Sequence, residues 1–494
     1  MNSSTYADLI RERYDKASRT RRAREALYLC LRHLVLDGAL RAGEPLPPSR
    51  LLAGELRLGR STVVRVYEQL LLEGYLCGRA GSGTFVSEDL PPAMSAGASR
   101  GAAPAGGLLS NRGREIERHA TSSHIQGGAF VPGVPDVGLF PFATWRRLLS
   151  KNLCFEQRHL ARYSQGGFGP LKSALADYLR VSRMMHCSPA QILILNGSHQ
   201  AIDLCARMLC DPGDAVWMED PGYWGARNVL RANGLELVPV PVDVDGMMPE
   251  LAPPGSHPRL VFVSPSCQYP TGVTMSLARR LQLLETARRH EAWIIEDDYD
   301  NEIRYYPHII GSLFGQAEQP GLQRVLYLGT FSKTMFPGLR LAYLVVPEAL
   351  AEPFAVGNAE LYREGRLVEQ AALAEFIEAG HFSRHLRRMR SVYQERRTIL
   401  RRAIESRLGD RVSTAGGQAG LNLAYLFAET LDDVELARRA LHAGIVFRPM
   451  SMYYDASRGS RVGMNLGFAA VSAEDITIAA DRLCSVVEAY LVKR

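Results

Sequence analysis

At 494 residues, 46% hydrophobic and 22% charged, the chain is too long for one simple core, so two or three domains are expected. No apolar run approaches a membrane span, the polar start Met1-Asn2-Ser3-Ser4 lacks a signal-peptide core, and the eight cysteines (Cys30, Cys77, Cys154, Cys187, Cys205, Cys210, Cys267, Cys484) include no CxxC pair. Together these argue for a cytoplasmic protein with reduced thiols, against a membrane span, a metal site or a disulfide framework, and the net charge of +6 permits nucleic-acid binding without demanding it.

Residues 1 to 20 are polar and weakly patterned and read as a flexible arm. From Arg21 to about Asp37, Ala26, Leu27, Leu29, Cys30, Leu34 and Val35 recur at helical spacing. Gly38 and Gly43 break that helix, Pro45, Pro47 and Pro48 form a rigid turn, and Ser49 starts a short helix from Arg50 to Leu56. A third helix, about Arg60 to Glu73, has a stripe of Val63, Val66, Tyr67, Leu70 and Leu71, and its first turn offers Arg60, Ser61 and Thr62, with Arg65 one turn on. Helix, short turn and helix with an exposed polar start is the shape that enters a DNA major groove. Tyr75-Leu76, then Gly78-Arg79-Ala80-Gly81-Ser82-Gly83, then Thr84-Phe85-Val86, predicts a β-hairpin with a glycine tip carrying one arginine. A small dimerisation module with a hairpin fits the same pattern.

Residues 15 to 88 thus form the first predicted domain. From 89 to 124 periodicity disappears into Pro, Ala, Gly and Ser, which predicts a semi-flexible linker. The remainder, 125 to 494, alternates strands and helices. Apolar runs at Gln191–Leu195, Ala215–Met218, Arg259–Ser264, Ala292–Glu296, Arg324–Leu328 and Leu341–Val346 predict a doubly wound, mainly parallel sheet. From about 350 onward, Arg-rich amphipathic helices lead to a smaller C-terminal lobe.

In such a sheet, ligands sit beyond the carboxyl ends of the strands, and the chemistry-bearing residues lie there. Gly329-Thr330-Phe331-Ser332-Lys333-Thr334, with Arg340 seven residues past the lysine, suits an aldehyde cofactor carrying a phosphate. The amine can form a Schiff base while hydroxyls and guanidinium hold the anion, and pyridoxal phosphate is the obvious candidate. Only five lysines (Lys16, Lys151, Lys172, Lys333, Lys493) stand among 58 Lys and Arg residues, so a lysine retained here hints at amine chemistry that arginine cannot perform. Gly197-Ser198-His199 opens a helix whose free N–H groups suit phosphate. Asp220-Pro221-Gly222-Tyr223 places an aromatic ring, and Ser264-Pro265-Ser266-Cys267-Gln268-Tyr269-Pro270-Thr271-Gly272 is a polar turn. Glu296-Asp297-Asp298-Tyr299 offers a carboxylate for a pyridine nitrogen and a phenol for the ring hydroxyl. Each alone reads as a cap, a turn or a strand end; five in the right order on one sheet do not.

Residues 45 to 86 resemble the winged helix of GntR-family bacterial repressors, and 125 to 494 resemble a fold-type I aminotransferase. Joined, they resemble the MocR/GabR subfamily of transcription regulators. The resemblance implies that Ser49, Arg50, Arg60, Ser61, Thr62, Arg65, Arg79 and Gly81 face DNA, with Gly59 where the family more often has a capping serine. It implies Lys333 as the Schiff-base lysine, Asp297 as the pyridine-nitrogen partner, Tyr299 on the phenolic oxygen and Tyr223 stacked on the ring. Ser198, His199, Thr330, Ser332 and Arg340 would hold the phosphate, and Tyr163 would reach the site of a second subunit in a homodimer.

One departure bears on function. Where aminotransferases clamp a substrate carboxylate with arginine, this chain has Met464-Asn465-Leu466-Gly467-Phe468, and Gly225 stands where the GABA-responsive member has a second arginine. Arg227 and Arg448 are the nearest substitutes. The expectation is therefore a regulator sensing pyridoxal phosphate, an amine or an amino acid, the alternative being an active aminotransferase with a DNA-binding appendage.

Overall fold

Helix α1 (Ser3–Ser18) stands where the sequence predicts a flexible arm. Its apolar positions are sparse, but Tyr6, Ile10 and Tyr14 lie four apart and are buried in one cluster with Leu27, Leu31 and Leu34 of α2 (Ala23–Leu36). Two tyrosines among charged neighbours conceal that stripe from a count of aliphatic residues. α3 (Ser49–Glu55) and α4 (Arg60–Leu72) follow, and α4 buries Val63, Val66, Tyr67 and Leu70. Gly59 precedes α4 and offers no side-chain cap; its carbonyl accepts the Thr62 N–H at 2.9 Å instead. Strands β1 (Leu76–Arg79) and β2 (Gly83–Val86) pair antiparallel as the expected hairpin, with Cys77 opposite Phe85.

This computed structural model describes residues 3–18, 22–79, 83–88, 109–120, 127–306, 311–317, 323–414, 416–455 and 459–492. The chain divides at Leu109 into two units, Met1–Leu109 and Ser110–Arg494. Most of the predicted linker, and Gly81 at the hairpin tip, lie outside the described residues. Within the linker's predicted bounds, α5 (Asn111–Arg118) forms in the second unit, its start capped by the Ser110 side chain accepting from the Gly113 N–H.

The second unit is built on an eight-stranded sheet. Its strands are β3 (Ile192–Leu195), β4 (Ala215–Asp220), β5 (Glu236–Asp243), β6 (Gly246–Met247), β7 (Leu260–Val263), β8 (Trp293–Asp297), β9 (Val325–Thr330) and β10 (Ala342–Val345). They lie in the order β3-β10-β9-β8-β7-β4-β5-β6. Neighbours from β9 through β5 pair parallel, and β10 runs antiparallel between β9 and β3. The central strands are buried along their whole length, as continuous Val, Ile and Leu runs require when helices cover both faces. In this sheet the apolar pattern passes over β5 and the two-residue β6. β5 contains Pro239 and Pro241, which cannot donate to a ladder, but among the described residues its neighbour beyond β4 is only the two-residue β6, so few donors are needed.

The smaller lobe follows helices Glu348–Tyr362, Leu367–Glu378 and His381–Leu408. Its sheet has the order β11-β12-β14-β13, formed by β11 (Val412–Thr414), β12 (Asn422–Phe427), β13 (Arg448–Pro449) and β14 (Gly463–Gly467). Helix Ala473–Val492 packs its buried face against helix His381–Leu408. No helix among the described residues is long and apolar enough to cross a membrane.

Candidate functional site

The carboxyl ends of the parallel strands open onto a cavity of about 260 Å³. Ser198, His199, Tyr223, Asp297, Tyr299, Thr330, Ser332, Lys333 and Arg340 all line it. Tyr163 does not; it is 84% exposed, on a stretch whose Gly166 and Gly167 N–H groups are held by Glu364 at 2.7 and 3.1 Å.

Three consecutive carboxyls end β8, and the structure gives each a different task. Glu296 accepts the Leu313 and Phe314 N–H groups, both at 2.9 Å, and so holds the start of the next helix. Asp298 faces the interior, where Arg183 Nε at 2.6 Å and the Tyr327 hydroxyl at 2.5 Å donate to it. Burial works against its charge, but Arg183, Tyr327 and Asn301 prevail and hold the carboxyl below the usual carboxylate range. Asp297 alone faces the cavity, and its Oδ1 is buried with no hydrogen-bond partner among the described residues. Burial, then the neighbouring Asp298 and Asp300, push its carboxyl up to about 8, against the opposing pull of Lys333. A buried oxygen without a partner is costly, and a protonated ring nitrogen would satisfy it.

Lys333 is partly buried across the cavity, and its Nζ donates to the Gly133 carbonyl at 2.7 Å. Burial lowers its pKa, with the carboxyls of Asp300 and Asp297 opposing. A lysine held between protein walls with a depressed pKa has its amine poised for attack on a carbonyl. Gly133 has φ +73°, and a Cβ there would lie 3.0 Å from Nζ, so glycine lets this loop close on the lysine. The loop is anchored from the small lobe, where Asn422 accepts the Gly133 N–H at 2.7 Å.

An anion cradle lies beside the lysine. Helix Ser198–Leu209 begins at Gly197, and among the described residues no side chain caps its free N–H groups. Arg340, in the left-handed region at φ 52°, reaches back to the Asn196 carbonyl at 3.2 Å. A Cβ on Gly197 (φ +102°) would fall 2.7 Å from the guanidinium, so glycine is what admits it. The Thr330 hydroxyl accepts the Ser332 N–H at 3.2 Å and lies 3.1 Å from the Ser332 hydroxyl. Tyr223 and His199 are joined at 3.1 Å, and a side chain at position 225 would collide with both. Tyr299, rather than bonding another oxygen, reaches Cys267 Sγ at 3.7 Å. Donors for a phosphate, an orphaned acceptor for a ring nitrogen and an amine therefore line one cavity, the set that pyridoxal phosphate requires.

Residues 137–483 match the aminotransferase class I and II family, and residues 23–86 match the gntR family of bacterial regulatory proteins. The probable rhizopine catabolism regulatory protein MocR of Rhizobium meliloti is 42% identical over 451 residues, covering 90% of each chain. The chain belongs to the MocR/GabR subfamily of GntR-family transcription regulators. Another relative of this regulator is the pyridoxine biosynthesis transcriptional regulator PdxR of Corynebacterium glutamicum, 32% identical over 78% of each chain. Among solved structures, α-aminoadipate aminotransferase from Thermus thermophilus, complexed with N-(5'-phosphopyridoxyl)-L-leucine, aligns with a TM-score of 0.68 at 27% identity. That match covers 79% of this chain and 97% of the enzyme.

In the regulator's first unit, Arg50, Arg60, Ser61 and Arg65 are exposed, while Ser49 and Thr62 are half-buried. Arg79 is engaged at home, 2.8 Å from Glu88 and with its guanidinium 4.8 Å from the centre of the Phe85 ring. In the second unit, sequence reasoning missed Pro132, Gly133, Trp224 and Pro337, and quoted Tyr269 without giving it a role; all line the cavity. The Pro132-Gly133 pair was a readable turn signal, but nothing local said that it would meet a lysine 200 positions away.

Proposed function

We propose that this regulator binds pyridoxal phosphate in the cavity of its second unit and operator DNA with its winged helix, and that ligand binding in the cavity alters DNA affinity. The observation that carries the cofactor reading is the buried, partnerless Oδ1 of Asp297 sharing one cavity with the Lys333 amine. When bound, the cofactor supplies an aldehyde that takes up amines. Asp297 would hold a proton at the ring nitrogen, Tyr223 would cover the ring face, and Tyr299 would turn from Cys267 to the ring hydroxyl. Ser198, His199, Thr330, Ser332 and Arg340 would bind the phosphate. The working unit is a cytoplasmic homodimer, with exposed Tyr163 reaching the partner's site. The signal is a small amine, an amino acid, or the cofactor itself.

Borohydride should fix cofactor to the wild-type chain and leave Lys333→Ala unlabelled; equal labelling of the variant would remove Lys333 from its role. Arg60→Ala should lose operator binding at matched salt with cofactor loading unchanged, and a retained gel shift would count against the winged-helix assignment. The alternative, a working aminotransferase with a DNA-binding appendage, draws on the retention of both Lys333 and Asp297. Keto-acid production at ordinary enzymatic rates would establish it.

A further inference from the structure

Glu364 lies between helices Glu348–Tyr362 and Leu367–Glu378, does not line the cavity, and is only 7% exposed. Each of its oxygens receives two donors. Oε1 accepts the Gly166 N–H at 2.7 Å and Asn358 Nδ2 at 2.6 Å, and Oε2 accepts the Ser164 hydroxyl and the Gly167 N–H, both at 3.1 Å. A carboxylate has about four lone-pair sites, so its capacity is filled, mostly by the stretch from Ser164 to Gly167. Gly166 (φ +77°) and Gly167 (φ +98°) are both left-handed, and a Cβ on Gly167 would fall 2.6 Å from Ile194. Phe168 is fixed next, its N–H donating to Gln370 Oε1 at 2.8 Å.

The same carboxylate is tied to the phosphate turn of its own chain. Asn358, fully buried, accepts Gln200 Nε2 at 2.8 Å, and Gln200 in turn accepts the Asn196 N–H at 2.8 Å. The carbonyl of Asn196 is the one that Arg340 holds. The Gly166 carbonyl also accepts the Ile194 N–H at 3.2 Å, from the strand that leads into this turn. A buried carboxylate is weak grounds for stability, but a fully satisfied network holds its members in one arrangement. What it aims is Tyr163, the residue before Ser164. With that side chain 84% exposed, its direction follows from the loop beneath it.

Resting on the homodimer reading above, we infer that Glu364 is a positioning residue that acts across the dimer. Through the loop it holds, it sets Tyr163 against the cofactor phosphate of the partner subunit, and through Asn358 and Gln200 it keys that loop to its own phosphate turn. The test uses full-length chains and two probes, pyridoxal phosphate and pyridoxal, reading the concentration that half-saturates borohydride fixation. Glu364→Gln puts an amide donor where donors already point. Its homodimer should lose about tenfold in affinity for pyridoxal phosphate and none for pyridoxal, which has no phosphate for Tyr163 to meet. Mixed dimers then separate the subunits. When a tagged Glu364→Gln chain is paired with a Lys333→Ala chain, fixation reports the former's site, which is served by the intact loop of the latter. Affinity there should return to the wild-type value. A chain carrying both substitutions should instead weaken its wild-type partner's site about tenfold. A defect that stays with the substituted chain in both pairings overturns the inference, as does an equal loss for both probes or an unchanged Glu364→Gln homodimer. If Glu364→Gln does not fold, Ser164→Ala takes its place with a smaller loss in the same pattern, and a Ser164→Ala that departs from that pattern overturns the inference too. Wild-type affinity in a Tyr163→Phe homodimer, or a monomer in sedimentation, sinks the homodimer reading and this inference with it. Rescue across the dimer for Tyr163→Phe but not for Glu364→Gln sinks this inference alone.

Discussion

Asp297 and Asp298 are adjacent in sequence, and their substitution should have opposite consequences. Asp297 Oδ1 has no hydrogen-bond partner among the described residues, so Asp297→Asn should fold normally and lose cofactor affinity, by about tenfold to a hundredfold for a missing charge-assisted bond of about 1.5–3 kcal/mol. Equilibrium dialysis with unchanged melting would show it. Asp298→Asn instead strands Arg183, which is 1% exposed and also lies 3.2 Å from Glu302. Breaking a buried pair on one side costs about 3–5 kcal/mol, so that variant should be strongly destabilised before any cofactor is added. The sequence shows four acids in five positions, Glu296 to Asp300, and says nothing of which one faces the ligand. Three of them look equivalent until Arg183, more than a hundred positions earlier, is seen to claim one.

Elements carry the next level of constraint. The turn from β3 into helix Ser198–Leu209 works because Gly197 has no Cβ in the path of Arg340. Gly197→Ala should strain a left-handed backbone by about 1–3 kcal/mol and displace the guanidinium. Pyridoxal phosphate would then lose more affinity than pyridoxal, which has no phosphate to be held. Equal losses for the two would contradict the cradle. In the first unit, α1 is a structural part of the winged helix, since Ile10 is fully buried in its core. Ile10→Ala should cost about 2–5 kcal/mol in the unfolding transition of that unit, whereas a flexible arm would tolerate it. Most elements were legible because their apolar periods are long and clean, as in β9 and α4. α1 was hidden because its buried face is largely tyrosine. β5 was hidden because its prolines stand near a sheet edge, where the usual objection to them lapses. In the cavity, residues next to strand ends could be placed by fold logic, while Gly133 and Tyr269 depend on loops whose path only tertiary contacts define.

Across the whole molecule, buried acids of the second unit set how stability responds to pH. Burial first of all pushes Glu219 up to about 8, Glu296 to about 7 and Asp300 to about 7, alongside Asp297. Unfolded, these carboxyls titrate near 4, so over roughly pH 5 to 8 the folded protein keeps protons that the unfolded chain has released. Their contribution is complete at the acid end of that window and declines as pH rises through the folded values. Asp298 has the opposite sign: its lowered pKa stabilises the fold above its unfolded value and is lost as pH falls. Cofactor-free protein should therefore melt highest in mildly acidic buffer and fall in Tm toward about pH 8. A Tm that is flat or rising across that range would contradict the protonated state of these carboxyls.

Strand β10 has one more consequence, which concerns synthesis. Among the described residues β3 has no neighbour in the sheet except β10, so the strand that leads into helix Ser198–Leu209 stays unpaired until the ribosome has passed Val345. The winged helix, by contrast, is complete near residue 88 and can fold while most of the chain is still unmade. A product ending before Ala342 would carry all the elements of the first unit but lack β10, and with it the strand that pairs with β3. Under the function proposed above, such fragments would compete for the operator without answering to the effector.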